Sequence, residues 1–334
     1  MKAVAPGKLI LSGEHAVVHG APALAMAIDR NAQTVVTPAE GESVSFSIQG
    51  LEPGESYTLR ALQDFRDRVK HNYDLFLAGK LGIRDVMAKP VDLFKYGYIL
   101  ALDALHHKID EGVCMKIRSN IPMGCGLGSS AATVLSELRA IGHYLRVDFK
   151  PQWYYDFSLE VEKMQHGHPS GVDSYISLNG GCARFQNGEA VSVPLPQLQM
   201  FLVETGAPEC TTGECVVQVD KEFGRSSIWS EFAHVTMGME GGIVKNDVEL
   251  VRALIRENHS LLSKIGVVPE PVQQFVREVE AAGGAAKICG AGAIRGDAGG
   301  VVLVLADQMP VQLCEKYGYT VSPVRGDPLG TRIV

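Results

Sequence analysis

At 334 residues the chain has room for two lobes sharing a core, and 46% hydrophobic against 21% charged residues excludes a disordered or fibrous protein. With a net charge of −7 and no lysine or arginine run of four, a nucleic-acid surface is excluded as its main business, and no apolar run approaches the roughly 18 residues of a membrane span. Seven scattered cysteines without a CxxC pair or an HExxH helix read as reduced thiols with no zinc site, and no signal-peptide core follows Lys2, so a cytoplasmic protein is expected.

The amino-terminal end reads as β-rich. Residues 2–11 and 16–28 run apolar between Gly and Pro, and 33–48 reads as strands joined by a Glu-Gly turn. From Phe94 to Ile109, the residues Tyr98, Leu102, Leu105 and Ile109 recur at helical spacing. CMKIRSNIP then reads as a short strand. A glycine-rich loop follows directly, and behind it Ala131, Val134, Leu135, Leu138, Ile141 and Leu145 mark one face of a helix beginning near Ser130. Pro151 opens a second helix, ending near the HGHPSG turn at 166–171, with Asp173 on the next element. Turns between Gly180 and Gln197 suggest the lobe boundary, giving a first lobe at 1–185 and a second at 186–334. The strand QMFLVET at 199–205 opens the second lobe. Helices at about 214–241, 247–264 and 270–282 follow, and the strand 301–305 closes it behind a second glycine-rich loop at 287–300.

In the loop from Pro122 to Ala132, Gly124, Gly126 and Gly128 permit tight turning and close approach of a ligand. The helix behind presents unpaired N–H groups and its positive dipole end, which together make an anion site. A purely structural strand-to-helix turn fits these residues as well. Two other nucleotide loops fail on spacing. GxxxxGK[ST] lacks a lysine before Ser129 or Ser130, and GxGxxG fails because position 129 is Ser. The second loop, with Gly290, Gly292 and Gly296, leads into a strand, so neither loop supports a nicotinamide dehydrogenase.

Glu162 ends a predicted helix, and Asp173 lies eleven residues on, beyond a turn able to fold the chain back. Two carboxylates facing one pocket suit phosphoryl transfer, one helping to hold magnesium and the other accepting the proton of an attacking hydroxyl. A solvated helix end or an N-cap is the alternative for either acid. Lys8, in APGKLILSGEH, enters an apolar strand, where it either places its ammonium in a site or snorkels to the surface. Glu14 and His15 close the same segment; His19, His143 and His259 are given no role.

PGKLILSGEHAVVHG at 6–20, PMGCGLGSSAA at 122–132, EKMQHGHPSGVD at 162–173 and KICGAGA at 287–293 occur together in one order, and the set resembles the GHMP small-molecule kinases. The resemblance implies an α+β two-lobe fold: a first lobe of the type shared with a ribosomal protein, with a left-handed βαβ crossover, then a ferredoxin-like second lobe. It implies ATP phosphates on Pro122, Gly124, Cys125, Gly126, Leu127, Gly128, Ser129, Ser130 and Ala131. Mg2+ would be held by Ser130 and Glu162, Asp173 would take the hydroxyl proton, and Lys8 would steady Asp173. Glu14, His15, His166, Thr212, Gly290 and Ala291 would face the acceptor, Thr212 on a looser match in TTGECV.

Within the family, GEHAVVHG with HGHPSGVD is most similar to the branch that phosphorylates mevalonate at its primary hydroxyl. Phosphomevalonate, homoserine or a sugar are the rival acceptors, and a non-catalytic binding protein is the non-enzyme alternative, against which the intact Lys8, Ser130, Glu162 and Asp173 speak. Small molecules are the partners implied, with no nucleic acid or membrane, and a homodimer is left open. The chain departs from the family's compact GAGGGG run with GAGAIRGDAGG, where Arg295 is expected to pair with Asp297 at the surface or to meet an anionic group. Cys125 and Cys289 flank the loops, either as thiols whose modification blocks ATP or as small buried residues.

Overall fold

The computed structural model describes residues 1–51, 55–105, 111–147 and 149–334. Strands β1 (Lys2–Ser12), β2 (Ala23–Ala39), β3 (Ser43–Ile48) and β4 (Ser56–Thr58) precede helices α1 (Leu59–Leu77) and α2 (Pro90–Leu105). Then come β5 (Gly112–Ser119), α3 (Ser129–Tyr144), α4 (Pro151–His166), α5 (Val172–Asn179) and a hairpin of β6 (Cys182–Gln186) and β7 (Glu189–Val193). The second half runs β8 (Met200–Glu204), α6 (Thr212–Phe223), α7 (Ile228–Val244), α8 (Val248–Lys264), α9 (Glu270–Ala281), β9 (Ala285–Ile288), β10 (Val301–Leu305), α10 (Val311–Tyr317), β11 (Thr320–Val324) and β12 (Arg332–Ile333).

Two sheets result. The first has the order β12-β1-β2-β5-β3-β4, with β6 on β2 and β7 on β6; only β3 and β5 pair in parallel, joined through α1 and α2. The second, β11-β8-β10-β9, is antiparallel throughout; with the four helices α6–α9 standing where the first helix of β-α-β-β-α-β would be, it is an elaborated ferredoxin-like arrangement. β1 is apolar almost end to end because α3 and α5 pack on it and α7 and α8 of the second half also reach it. Leu9, Leu24 and Met26 lose all exposure, each stabilising the fold by about 1.5–3 kcal/mol. Among the described residues no helix is long and apolar enough to cross a membrane.

Several expectations change. Residues 16–19 form a short 3-10 turn rather than strand, ending on left-handed Gly20. The helix at 94–109 starts earlier, at Pro90, and Ile109 lies outside the described residues. The single helix expected at 214–241 is two. Gly224 ends α6, the Ser226 hydroxyl accepts the Ile228 N–H at 3.2 Å, and the Trp229 indole donates to the Phe223 carbonyl at 2.9 Å, so the break is closed by its own polar groups. A cut at 185/186 splits the β6–β7 hairpin, which belongs to the first sheet through β2. By sheet membership the change-over falls between Val193 and Met200, and β12 returns to β1 from the far end of the chain.

Candidate active site

β1 passes, at Lys8, beside the place where the two glycine-rich loops meet. The Lys8 N–H donates to the Leu127 carbonyl at 2.9 Å, fixing the first loop beside the strand. Gly126 and Gly290 then touch through their backbones: a Cβ on Gly126 would stand 2.7 Å from the Cys289 carbonyl oxygen, and one on Gly290 2.6 Å from the Gly126 Cα. Gly128 takes the N-cap position of α3 in left-handed geometry, where a Cβ would come within 2.8 Å of the Lys8 side chain. No side chain caps α3 there, so its first turn presents backbone donors and the dipole's positive end.

The carboxylates converge on this point. The Lys8 ammonium stands 3.1 Å from Asp173 Oδ1 and donates to the Gly126 carbonyl at 2.9 Å. Lys8 is buried on its strand, whereas the Asp173 side chain keeps 29% exposure toward the cavity. The Ser130 hydroxyl donates to Glu162 Oε1 at 2.7 Å. Glu162 is buried, and that burial, with Asp173 nearby, pushes its carboxyl up to about 8 against the pull of Ser130 and Lys8. A buried carboxylate short of positive charge, beside a hydroxyl at a helix N-terminus, is an all-oxygen donor set suited to magnesium, which takes one or two protein oxygens and completes its shell with phosphates and water.

Lys8, Glu162 and Asp173 line one end of a cavity of about 510 Å³. Glu14, His15, His166, Thr212, Gly290 and Ala291 line the same cavity. A second cavity of about 440 Å³, lined by Gly124, Cys125 and Gly126, shares His166, Thr212 and Ala291 with it. His15, in left-handed backbone geometry, bonds the Ala291 carbonyl through Nε2 at 3.0 Å. Burial takes its pKa down to about 4, so the ring is neutral, Nε2 donates, and Nδ1 is a buried acceptor without a partner among the described residues. Burial likewise lowers His166, partly opposed by Asp173.

The expected pairing of Arg295 with Asp297 gives way to a different one. Arg295 meets Glu214 at 3.0 Å, and Arg84, from the turn after α1, meets the same carboxylate at 2.7 Å. Glu214 is fixed because it closes the capping box of α6, and the Thr211 N–H and Arg295 hold its carboxyl down to about 2. Two guanidiniums thus meet on one carboxylate at the rim, with Glu209 also acting on Arg295. Cys125 and Cys289 are both buried where the loops meet, and burial raises both thiols, Cys289 to about 11.

Sequence reasoning missed Lys287. It is wholly buried on β9, donates to the Ile10 carbonyl at 3.1 Å and pairs with Glu14. Glu14 also accepts from Asn258 at 3.4 Å, and Asn258 accepts from Ser12 at 2.9 Å, so a buried polar chain ties β1 to α8 and β9. The available signal was the one used for Lys8, a lysine inside an apolar strand.

The fold, the paired glycine loops and the Lys8–Asp173 contact define a small-molecule kinase. The model of the GHMP kinases N terminal domain matches residues 94–181 and that of the GHMP kinases C terminal matches 239–312. Both halves of the chain are thus similar to GHMP kinases. Among curated relatives, a mevalonate kinase of Thermococcus onnurineus is 28% identical over 348 residues, covering 99% of this chain and 95% of its own. The fold is shared with the crystal structure of the Methanococcus jannaschii mevalonate kinase, at a TM-score of 0.80, 22% identity and 98% coverage of each chain. It is shared too with an L. major mevalonate kinase in complex with R-mevalonate, at a TM-score of 0.72, 21% identity and coverage of 99% and 97%.

Proposed function

We propose that the chain transfers the γ-phosphoryl group of ATP, with magnesium, to the primary hydroxyl of mevalonate, giving 5-phosphomevalonate. The observation that carries this reading is the Lys8–Asp173 pair, 3.1 Å apart at the junction of the two glycine loops and opening on the cavity that holds the acceptor residues. The nucleotide phosphates lie on the Pro122–Ala132 loop and the start of α3, between a first lobe ending after Val193 and a second lobe beginning at Met200. Ser130 and Glu162 would hold the magnesium ion, which would supply charge neutralisation at the phosphates. Asp173 takes the hydroxyl proton as the new O–P bond forms, and the β–γ bridging oxygen leaves with ADP. A carboxylate is a weak base for an alcohol, so positioning and charge neutralisation supply most of the rate. Lys8 orients Asp173 and faces the charge that develops there.

The acceptor end supports an anionic alcohol. Arg84 and Arg295 meet on one carboxylate at the cavity rim, and guanidinium donors there suit the acid of mevalonate better than a neutral sugar. The relatives named as mevalonate kinases along the whole chain support the same acceptor. A coupled assay of the purified protein with magnesium and ATP against mevalonate, phosphomevalonate, homoserine and galactose tests it. Turnover of mevalonate with the highest kcat/KM is expected. Phosphorylation of another alcohol with mevalonate untouched overturns the assignment.

A further inference from the structure

Cys210 and Cys215 touch: their sulfurs are 3.2 Å apart and both residues are buried. The contact follows from how α6 begins. Thr211 is its N-cap and Glu214 its third residue, and the two bond reciprocally as a capping box. That places Cys210 just before the cap and Cys215 at the fourth helical position, the two sites that a hydrophobic staple brings together. Any two apolar side chains would fill the staple; two thiols add redox chemistry to it.

The two sulfurs are not equivalent. Cys215 is sealed in the protein, burial together with its contact to Cys210 pushes its thiol up to about 12, and its S–H points to the Gly292 carbonyl at 3.7 Å. The Cys210 sulfur also accepts the Ile294 N–H at 3.4 Å, lies at the positive end of α6, and lines the cavity of about 440 Å³. A sulfur that accepts a backbone N–H at a helix N-terminus and borders a cavity is the attacking partner; a sealed thiol against it is the resolving one.

We infer that Cys210 and Cys215 are an oxidisable pair, a modification site at which hydrogen peroxide produces an intramolecular disulfide. The Cys210 thiolate attacks one peroxide oxygen, the O–O bond breaks, and hydroxide leaves, giving the sulfenic acid. The Cys215 sulfur then attacks the Cys210 sulfur, and water leaves as the S–S bond forms. Two thiols are oxidised and one peroxide becomes two waters, the hydroxide taking up the proton that Cys210 gave. Closing the sulfurs from 3.2 Å to about 2.05 Å shifts both, and it removes the hydrogen that Cys215 presents to the Gly292 carbonyl at 3.7 Å. Gly292 and Ile294 belong to the irregular third loop that carries Arg295, while Thr212 and Glu214 lie inside the closed ring. Oxidation therefore disturbs the acceptor end of the cavity and leaves Lys8 and Asp173 in place.

The test treats the full chain with hydrogen peroxide, alkylates the remaining thiols and maps peptides by mass spectrometry with and without dithiothreitol. A Cys210–Cys215 linked peptide lighter by two hydrogens, lost on reduction, is expected. In the kinase assay, with whichever acceptor is turned over, the oxidised protein should show a KM for the acceptor raised about fivefold with kcat within about twofold, reversed by reductant. Cys215→Ala should keep reduced-form activity and lose the peroxide effect on KM. Absence of the linked peptide overturns the inference whatever the acceptor proves to be. So does a link with no change in KM, or the same peroxide effect in Cys215→Ala.

Discussion

Two buried lysines stand on apolar strands of this molecule, each paired with a carboxylate of β1 or its surroundings, and they differ in what the partner faces. Lys8 pairs with Asp173, whose side chain is 29% exposed to the cavity, whereas Lys287 pairs with Glu14, whose side chain is 1% exposed. A half-open pair leaves its carboxylate available to a substrate proton. A closed pair spends the same chemistry on joining two sheets, through the chain from Lys287 and Glu14 to Asn258 and Ser12. Exposure of the partner, rather than burial of the lysine, separates a group poised for reaction from one that holds the frame.

The sharpest way to break that contrast is Lys287→Met. Leaving Glu14 buried without its cation should cost about 3–5 kcal/mol in urea unfolding, and the further change Glu14→Leu should recover part of it. Lys8→Met should cost far less stability, because Asp173 can be hydrated; equal losses in the two variants would dissolve the distinction. Asp173→Asn should lower turnover on the order of a hundredfold or more while nucleotide affinity stays within a few-fold. Near-normal turnover would remove Asp173 as the proton acceptor.

Acidity offers a gentler probe of the same frame. Burial holds His15 and His259 at about 4, below the unfolded value near 6.5, so between those values the unfolded chain binds more protons. Stability present above about pH 6.5 should fall as the pH drops and level off near 4, each histidine contributing on the order of 3 kcal/mol across that range. His259→Gln should flatten the slope in thermal unfolding followed from pH 7 to 5, and an unchanged slope would count against a buried neutral ring there. The smallest effect is assigned to Ser130→Ala, a several-fold weakening of the magnesium–ATP complex. Unaltered magnesium dependence in titration would take Ser130 out of the metal site.

Much of the frame is legible in local sequence. The helix behind the first loop, the Pro151 helix and the apolar strand at 301–305 all carry their period or punctuation openly, and the structure places them within a residue or two. The β6–β7 hairpin was legible too: Asn187 and Gly188, both at positive φ, form the two-residue turn that Asn-Gly favours, although the segment reads at first as loose turns between lobes. The break at Gly224–Ser227 is harder, since apolar residues continue on both sides and the side-chain bonds that close it, from Trp229 to the Phe223 carbonyl and from the Ile228 N–H to Ser226, are not carried by the apolar period. At the candidate site, motif order brings Lys8, Ser130, Glu162 and Asp173 to attention. The partner of Arg295 is not readable from the sequence. Glu214 lies 81 positions away and is held ready by a helix cap, so proximity along the chain points to Asp297 instead.

The contact between Gly126 and Gly290 has one further consequence. The floor of the cleft at that spot is main chain against main chain, with no side chain to trim, rotate or exchange. Its clearance is set by the path of the two loops alone, so substitutions around it that preserve the path should be silent. A single methyl at either glycine would instead act as a wedge, prising the two halves apart at the point where donor and acceptor must meet.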